Sequence, residues 1–199
     1  MGIKVPDFGS TAATIIPSVG CPMGCNFCTT SASFGGKGKF LNFYETGEEL
    51  FNVMYEMEDS MRVRSFFIMD ENFLLYRKRV MELLDCMKAK GKAWAFYAFS
   101  SASAVGKYTM RDLVELGVSW IWMGLESPRS SYFKLQGRDT LALTKELRDH
   151  GIQAAGFHHR RPGAPHAREH QAPVRHQTFV RPLFTIRKHC KTGHQNDGR

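Results

Sequence analysis

Between residues 13 and 157 the chain alternates short apolar runs with amphipathic segments, and this alternation restricts the fold more than any other property of the sequence. The runs are ATIIPSV (13–19), SFFIMD (65–70), AWAFYAFS (93–100), VSWIWMG (118–124) and the weaker IQAAGF (152–157). Their β-branched and aromatic content predicts strands. Between them, Thr46 and Glu49 have the spacing of a capping box ahead of Leu50, Val53, Met54 and Met57, which fall on one face of a helix. Val80, Leu83, Leu84 and Met87 repeat that face, and KGK then supplies a basic end and a glycine stop. YTMRDLVELG and LALTKELRDHG each run into a glycine able to take the left-handed cap.

Strands and helices in this order predict an α/β fold, a parallel sheet with right-handed crossovers whose apolar strands are covered on both faces. Five strands are too few for a closed eight-stranded barrel. An open or partial barrel is expected, with ligands gathered at the carboxyl ends of the strands. With 199 residues, 43% of them hydrophobic, the chain can build one substantial core. No apolar run approaches the roughly 18 residues of a membrane-spanning helix, and MGIKVPDFGS lacks the basic-then-apolar order of a secretory signal. A soluble, cytoplasmic protein without a membrane span is expected.

Near Gly156 the composition changes. Residues 1–156 hold 18 Lys and Arg against 17 Asp and Glu, whereas 157–199 hold 9 against 2, so the formal charge of +8 belongs almost wholly to the tail. That tail also carries seven of the eight histidines and shows no helical or strand periodicity. Three readings fit it: a flexible basic extension, a metal-binding tract built on His166, His170 and the His189-Cys190 pair, or a segment that is not a genuine domain sequence, such as the product of a shifted reading frame. The last is favoured, because an uncapped His/Arg/Pro mixture makes a poor folding unit. Residues 1–156 are therefore read as the folded core. Any RNA binding by the tail is expected to be electrostatic and nonspecific.

Five cysteines, three of them clustered, do not resemble a secreted disulfide framework. Cys21, Cys25 and Cys28 follow the first strand, in GCPMGCNFC (20–28), at the edge where a parallel sheet builds its site. Thiolates bind iron-sulfur clusters or zinc. A closed zinc site would need a fourth ligand, and no histidine occurs before His150. Gly20, Pro22 and Gly24 mark a loop, against the third reading of inert packed thiols. With three cysteines on a [4Fe–4S] cube, one iron is left for a small molecule, so the pattern favours a catalytic cluster.

C-x3-C-x2-C with the aromatic Phe27 before its last cysteine resembles the signature of the radical S-adenosylmethionine (radical SAM) superfamily. The resemblance covers about residues 10–156. It implies a partial (β/α)6 TIM-like barrel, here truncated after about five strands, and a [4Fe–4S] cluster on Cys21, Cys25 and Cys28. The cluster's open iron would chelate S-adenosylmethionine and cleave it reductively to methionine and a 5′-deoxyadenosyl radical. An electron donor such as a flavodoxin or ferredoxin is implied as a partner. IMDENF, with Asp70, Glu71 and Asn72, stands where the superfamily usually has a glycine-glycine-glutamate motif. Its D-x-N-F form, and GLESP with Glu126 and Ser127, resemble the subgroup that carries a cobalamin-binding domain. Asp70, Asn72 and Glu126 are thus expected to face the cofactor, with Ser100 and Ser101, at the end of the third strand, as weaker contacts. Cobalamin would bind through a domain outside this chain, which reads as a fragment of a larger methyltransferase or related radical enzyme. The substrate is left open.

Plainer roles compete with these. Asp70 can cap the turn after its strand, Glu126 can pair with Arg129, and the serines can satisfy loop backbone. A non-catalytic iron-sulfur or zinc-binding module is the alternative for the whole chain. FGGKGK (34–39) fails as a phosphate loop, because Gly38-Lys39 is followed by Phe40. Trp94, Phe96, Trp120 and Trp122 are expected in the core.

Overall fold

The computed structural model describes residues 11–25, 28–124 and 139–157. Five parallel strands form the main sheet: β1 (Ala12–Ile15), β4 (Ser65–Ile68), β5 (Ala95–Ser100), β6 (Val118–Gly124) and β7 (Gln153–Phe157), adjacent in that order. A two-stranded ribbon of β2 (Ser18–Gly20) and β3 (Phe40–Asn42) stands apart from it. The helices are α1 (Thr29–Ser33), α2 (Gly47–Met61), α3 (Arg77–Ala89), α4 (Ala102–Val105), α5 (Met110–Leu116) and α6 (Thr140–Asp149).

Because the main strands lie side by side in chain order, the sheet never reverses its winding. Successive right-handed crossovers then place the connecting helices α2, α3, α5 and α6 on one side, and the sheet curls around the other as in a barrel, not a doubly wound sheet. The fold is α/β, a partial TIM-like barrel of parallel strands. The helical side is the core: Ala13, Ile15, Phe66, Ile68, Phe96, Ala98, Ile121 and Met123 of the strands are buried with Leu50, Met54, Val80, Leu83, Leu84 and Met87 of α2 and α3. Fully burying each of the larger of these side chains is worth about 1.5–3 kcal/mol.

The other face is not covered as the sequence suggests. Phe67, Tyr97, Phe99, Trp120 and Trp122 alternate with the core residues and are only half-buried. The Trp122 ring lies 5.2 Å from Phe99, tilted, and 5.3 Å from Phe67, edge-on, centroid to centroid. Of the four aromatics expected in the core, Trp94 and Phe96 are there and the other two line this inner face.

Helix ends follow the sequence closely. Thr46 and Glu49 form the capping box of α2, and Gly117, at φ 84°, ends α5 in the left-handed conformation. The run 13–19 differs from expectation, since it is two strands and not one. Pro17 has no N–H to continue the parallel ladder, and its carbonyl instead accepts from Phe43 N–H at 2.9 Å. The chain turns out of the main sheet there and starts the ribbon.

Candidate cofactor site

The β2–β3 ribbon is the base from which the cysteine loop hangs. Register pairs Ser18 with Asn42, Val19 with Leu41 and Gly20 with Phe40, so residues 21–39 form an excursion closed at its root. Gly20 is at φ +89°, and a Cβ there would stand 3.0 Å from Phe40 Cα. Within the excursion, Gly38 N–H donates to the Pro22 carbonyl at 3.1 Å, and a Cβ on Gly24 would fall 2.4 Å from Lys37 Cα. FGGKGK therefore packs back on the cysteine loop with its glycine backbone. It is a closing strap, not a phosphate cradle.

Cys21 is buried, and Cys25 and Cys28 are half-buried. All three line one cavity with Met23, Ser31, Glu71, Asn72, Ser100, Ser101 and Gly124. The cavity opens at the carboxyl ends of β4, β5 and β6, the edge at which such sheets bind ligands. A larger hollow of about 350 Å³ lies at the opposite, amino-terminal edge, lined by Tyr55, Glu58, Arg64 and Lys92 among others. There Glu58 is already engaged by Lys92 at 2.8 Å, and that edge of such a sheet ordinarily serves stability.

Asp70 points inward and is 1% exposed. Its Oδ2 accepts from Ser18 Oγ at 2.6 Å and Arg79 Nη2 at 2.9 Å, while Oδ1 accepts from Asn72 N–H at 3.0 Å. Arg79 also donates through Nη1 to the Tyr44 carbonyl at 3.1 Å and to Asn42 Oδ1 at 3.3 Å. One buried ion pair thus ties the end of β4 to both strands of the ribbon. Glu71, one residue on, accepts from Gly20 N–H at 3.0 Å and so holds the residue before Cys21.

Asn72, 3% exposed, joins β4 to β5. Its Oδ1 accepts from Ser100 Oγ at 3.1 Å and Ser101 N–H at 3.0 Å, and its Nδ2 donates to Ser101 Oγ at 3.2 Å. Ser101 in turn caps α4, accepting from Ala104 N–H. An amide nitrogen carries two hydrogens, so the Asn72 amide keeps a donor to offer a ligand in the cavity it lines.

Tyr76 stands at the rear of this network. Its hydroxyl is buried beside the Ser18 side chain. Burial, reinforced by the charge of Asp70, pushes its phenol up to about 12.

Of the residues expected to face a cofactor, Asn72 and Ser100 share the cavity with the three cysteines, and Asp70 lies behind it. Phe27, Glu126, Ser127 and the tail from residue 158, with His166, His170 and Cys190, lie outside the described residues. Sequence reasoning did not find Arg79, Ser18 or Tyr76. Their importance depends on which strands the ribbon brings together, and spacing along the chain does not show that.

Donor chemistry and placement suit an iron-sulfur group: three sulfur donors on one loop line one cavity. No three His, Cys, Asp or Glu side chains among the described residues converge closely enough to hold a metal ion as they stand. Ligation would draw the loop's thiols together.

A singly wound parallel sheet with a three-cysteine loop after its first strand is the arrangement that the sequence resemblance implies. Residues 15–167 match the radical SAM superfamily, and the chain belongs to it. An uncharacterized methyltransferase of Pyrococcus horikoshii is 25% identical over 153 residues, which are 74% of this chain and 32% of that protein. Bacteriochlorophyllide d C-12(1)-methyltransferase of Chlorobaculum tepidum is 34% identical over 150 residues, 72% of this chain and 32% of that protein. The chain thus spans about a third of the length of these relatives. Among solved structures, the cobalamin-dependent S-adenosylmethionine radical enzyme OxsB, with aqua-cobalamin and S-adenosylmethionine bound, superposes with a TM-score of 0.50 at 18% identity, over 74% of this chain and 23% of that one. At that identity the likeness speaks for the fold. No helix among the described residues is long and apolar enough to cross a membrane.

Proposed function

We propose that this chain is the cofactor-binding core of a radical SAM enzyme, with Cys21, Cys25 and Cys28 holding a [4Fe–4S] cluster. The observation that carries the reading is the shared cavity of the three cysteines with Asn72 and Ser100, at the carboxyl edge of a sheet in a chain of this superfamily. When bound, the cluster supplies the electron that cleaves S-adenosylmethionine to methionine and a 5′-deoxyadenosyl radical.

The chain's own residues hold and enclose. Gly20, fixed by Glu71, and the strap at Gly38 set the path of the loop. The spare amide hydrogen of Asn72 and the hydroxyl of Ser100 offer polar contacts to S-adenosylmethionine. Asp70 acts indirectly, because its oxygens are occupied by Ser18, Arg79 and Asn72. Phe27 and Glu126 take the cofactor contacts that the superfamily resemblance gives them. The half-buried aromatic face bounds the space beneath.

The reaction class is methyl transfer linked to cobalamin, with the cobalamin carried outside this core and electrons delivered by a flavodoxin or ferredoxin. The methyltransferase names of two relatives support the methyl transfer. The test is spectroscopic. After anaerobic reconstitution and reduction, added S-adenosylmethionine should change the electron paramagnetic resonance signal of the cluster. A loaded protein whose signal does not respond would be a non-catalytic cluster module.

A further inference from the structure

The ribbon that carries the cysteine loop has two unlike faces. On one, Phe40 meets Tyr76 with ring centroids 5.5 Å apart, and Asn42 Oδ1 accepts from Arg79 Nη1 at 3.3 Å. Side chains alternate along an extended strand, so Lys39, Leu41 and Phe43 are turned the other way. All three are exposed, Leu41 by 59% and Phe43 by 57%, and the half-buried Val19 stands opposite Leu41 in the register. The core gains nothing from this outer face, and contiguous exposed apolar side chains rimmed by polar ones mark interaction sites.

Its charge is one-sided. From Phe8 to Tyr44 the sequence holds no Asp or Glu, and its only charged residues are Lys37 and Lys39, both exposed. Asp70 and Glu71, which reach the ribbon from beyond β4, are taken by Arg79 and by the Gly20 N–H. A second copy of this chain seated on the face about a two-fold axis would set one basic surface against another. An acidic partner meets no like charge there.

The face is also continuous with the cysteine loop. Val19 lies two residues before Cys21, and a Cβ on Gly24, the residue before Cys25, would fall 2.4 Å from Lys37 Cα. We propose that Val19, Lys39, Leu41 and Phe43, with Lys37 beside them, form the docking site of an acidic one-electron carrier protein that reduces the cluster. The carrier loses one electron, the oxidised cluster gains it, and no atom or proton changes hands. Electron transfer slows steeply with distance, which favours a dock on the root of the ligating loop. Transient redox encounters use the smallest protein interfaces, so a short ribbon is enough. The lysines steer the approach and the apolar side chains set the fit. This rests on the proposed cluster and adds the surface through which its electron enters.

The test uses the full chain with reconstituted cluster, as wild type, Lys39→Glu and the double variant Leu41→Ser, Phe43→Ser. Each is reduced by a reduced flavodoxin of acidic surface and, separately, by dithionite, and loss of the cluster's visible absorbance is followed by stopped flow. Both variants should take electrons from flavodoxin about tenfold more slowly, Lys39→Glu with a weaker salt dependence, while dithionite reduces all three alike. Variants reduced by flavodoxin at the wild-type rate would overturn this inference and leave the cluster reading standing. Slower reduction by dithionite as well would assign these residues to the fold around the cluster and also overturn it. So would a wild-type dimer in sedimentation that the variants break, since the face would then join copies of the chain. A wild-type chain that takes up no iron would overturn the cluster reading and this inference with it.

Discussion

Arg79 Nη2 lies 2.9 Å from Asp70 Oδ2, and the two side chains are 3% and 1% exposed. This pair spans the end of β4 and the start of α3, and through Ser18, Asn42 and Tyr44 it fixes the ribbon that carries the cysteine loop. Removing one partner strands a buried charge. Arg79→Met is expected to cost about 3–5 kcal/mol in urea unfolding, and the double variant Asp70→Leu, Arg79→Met should recover part of that loss. A single variant within about 1 kcal/mol of the wild type would show that the pair does not fasten the ribbon.

Gly117 and Gly91 separate close approach from backbone preference. Both have positive φ, 84° and 60°, but a Cβ on Gly117 would lie 1.8 Å from the Trp94 carbonyl oxygen, and one on Gly91 meets nothing within 4 Å. Gly91→Ala should cost about 1 kcal/mol, the ordinary penalty of the left-handed region. Gly117→Ala should cost several times more, because the turn into β6 must move away from β5. Equal thermal shifts for the two would contradict this packing.

Glu115 governs a part of the acid response. Hydrogen bonds from Lys88, at 2.5 Å, and Arg111, at 2.6 Å, hold its carboxyl down at about 2. A depressed folded value means that the contribution is present above the ordinary carboxylate range and is lost as pH falls through it toward 2. The difference in denaturation midpoint between wild type and Glu115→Gln should therefore be largest near pH 6 and shrink between about pH 5 and pH 2. A difference that does not change with pH would refute the pairing.

The sheet was legible in the sequence because its strands are apolar and its helices capped. VSWIWMG coincides with β6, and Thr46 and Gly117 cap where their spacing predicted. Failures came where pairing is nonlocal. FLN (40–42) carries no periodicity of its own and becomes β3 only because Pro17 turns β2 away from the main sheet. The cysteines could be read from spacing, whereas the Asp70–Arg79 pair could not, since nothing in the chain announces a contact nine residues apart across a turn. Trp120 and Trp122 were placed in the core by their apolarity, but a singly wound sheet has helices on one face only and leaves them on the other.

The central claim is that Cys21, Cys25 and Cys28 together ligate the cluster. Cys86, on α3 and away from the cavity, is the internal control. Iron and sulfide should be measured after anaerobic reconstitution of wild type, Cys86→Ala and Cys25→Ala. The first two should hold about four iron atoms per chain, and Cys25→Ala should lose the cluster. A Cys25→Ala protein that loads as much iron and sulfide as the wild type would contradict the account.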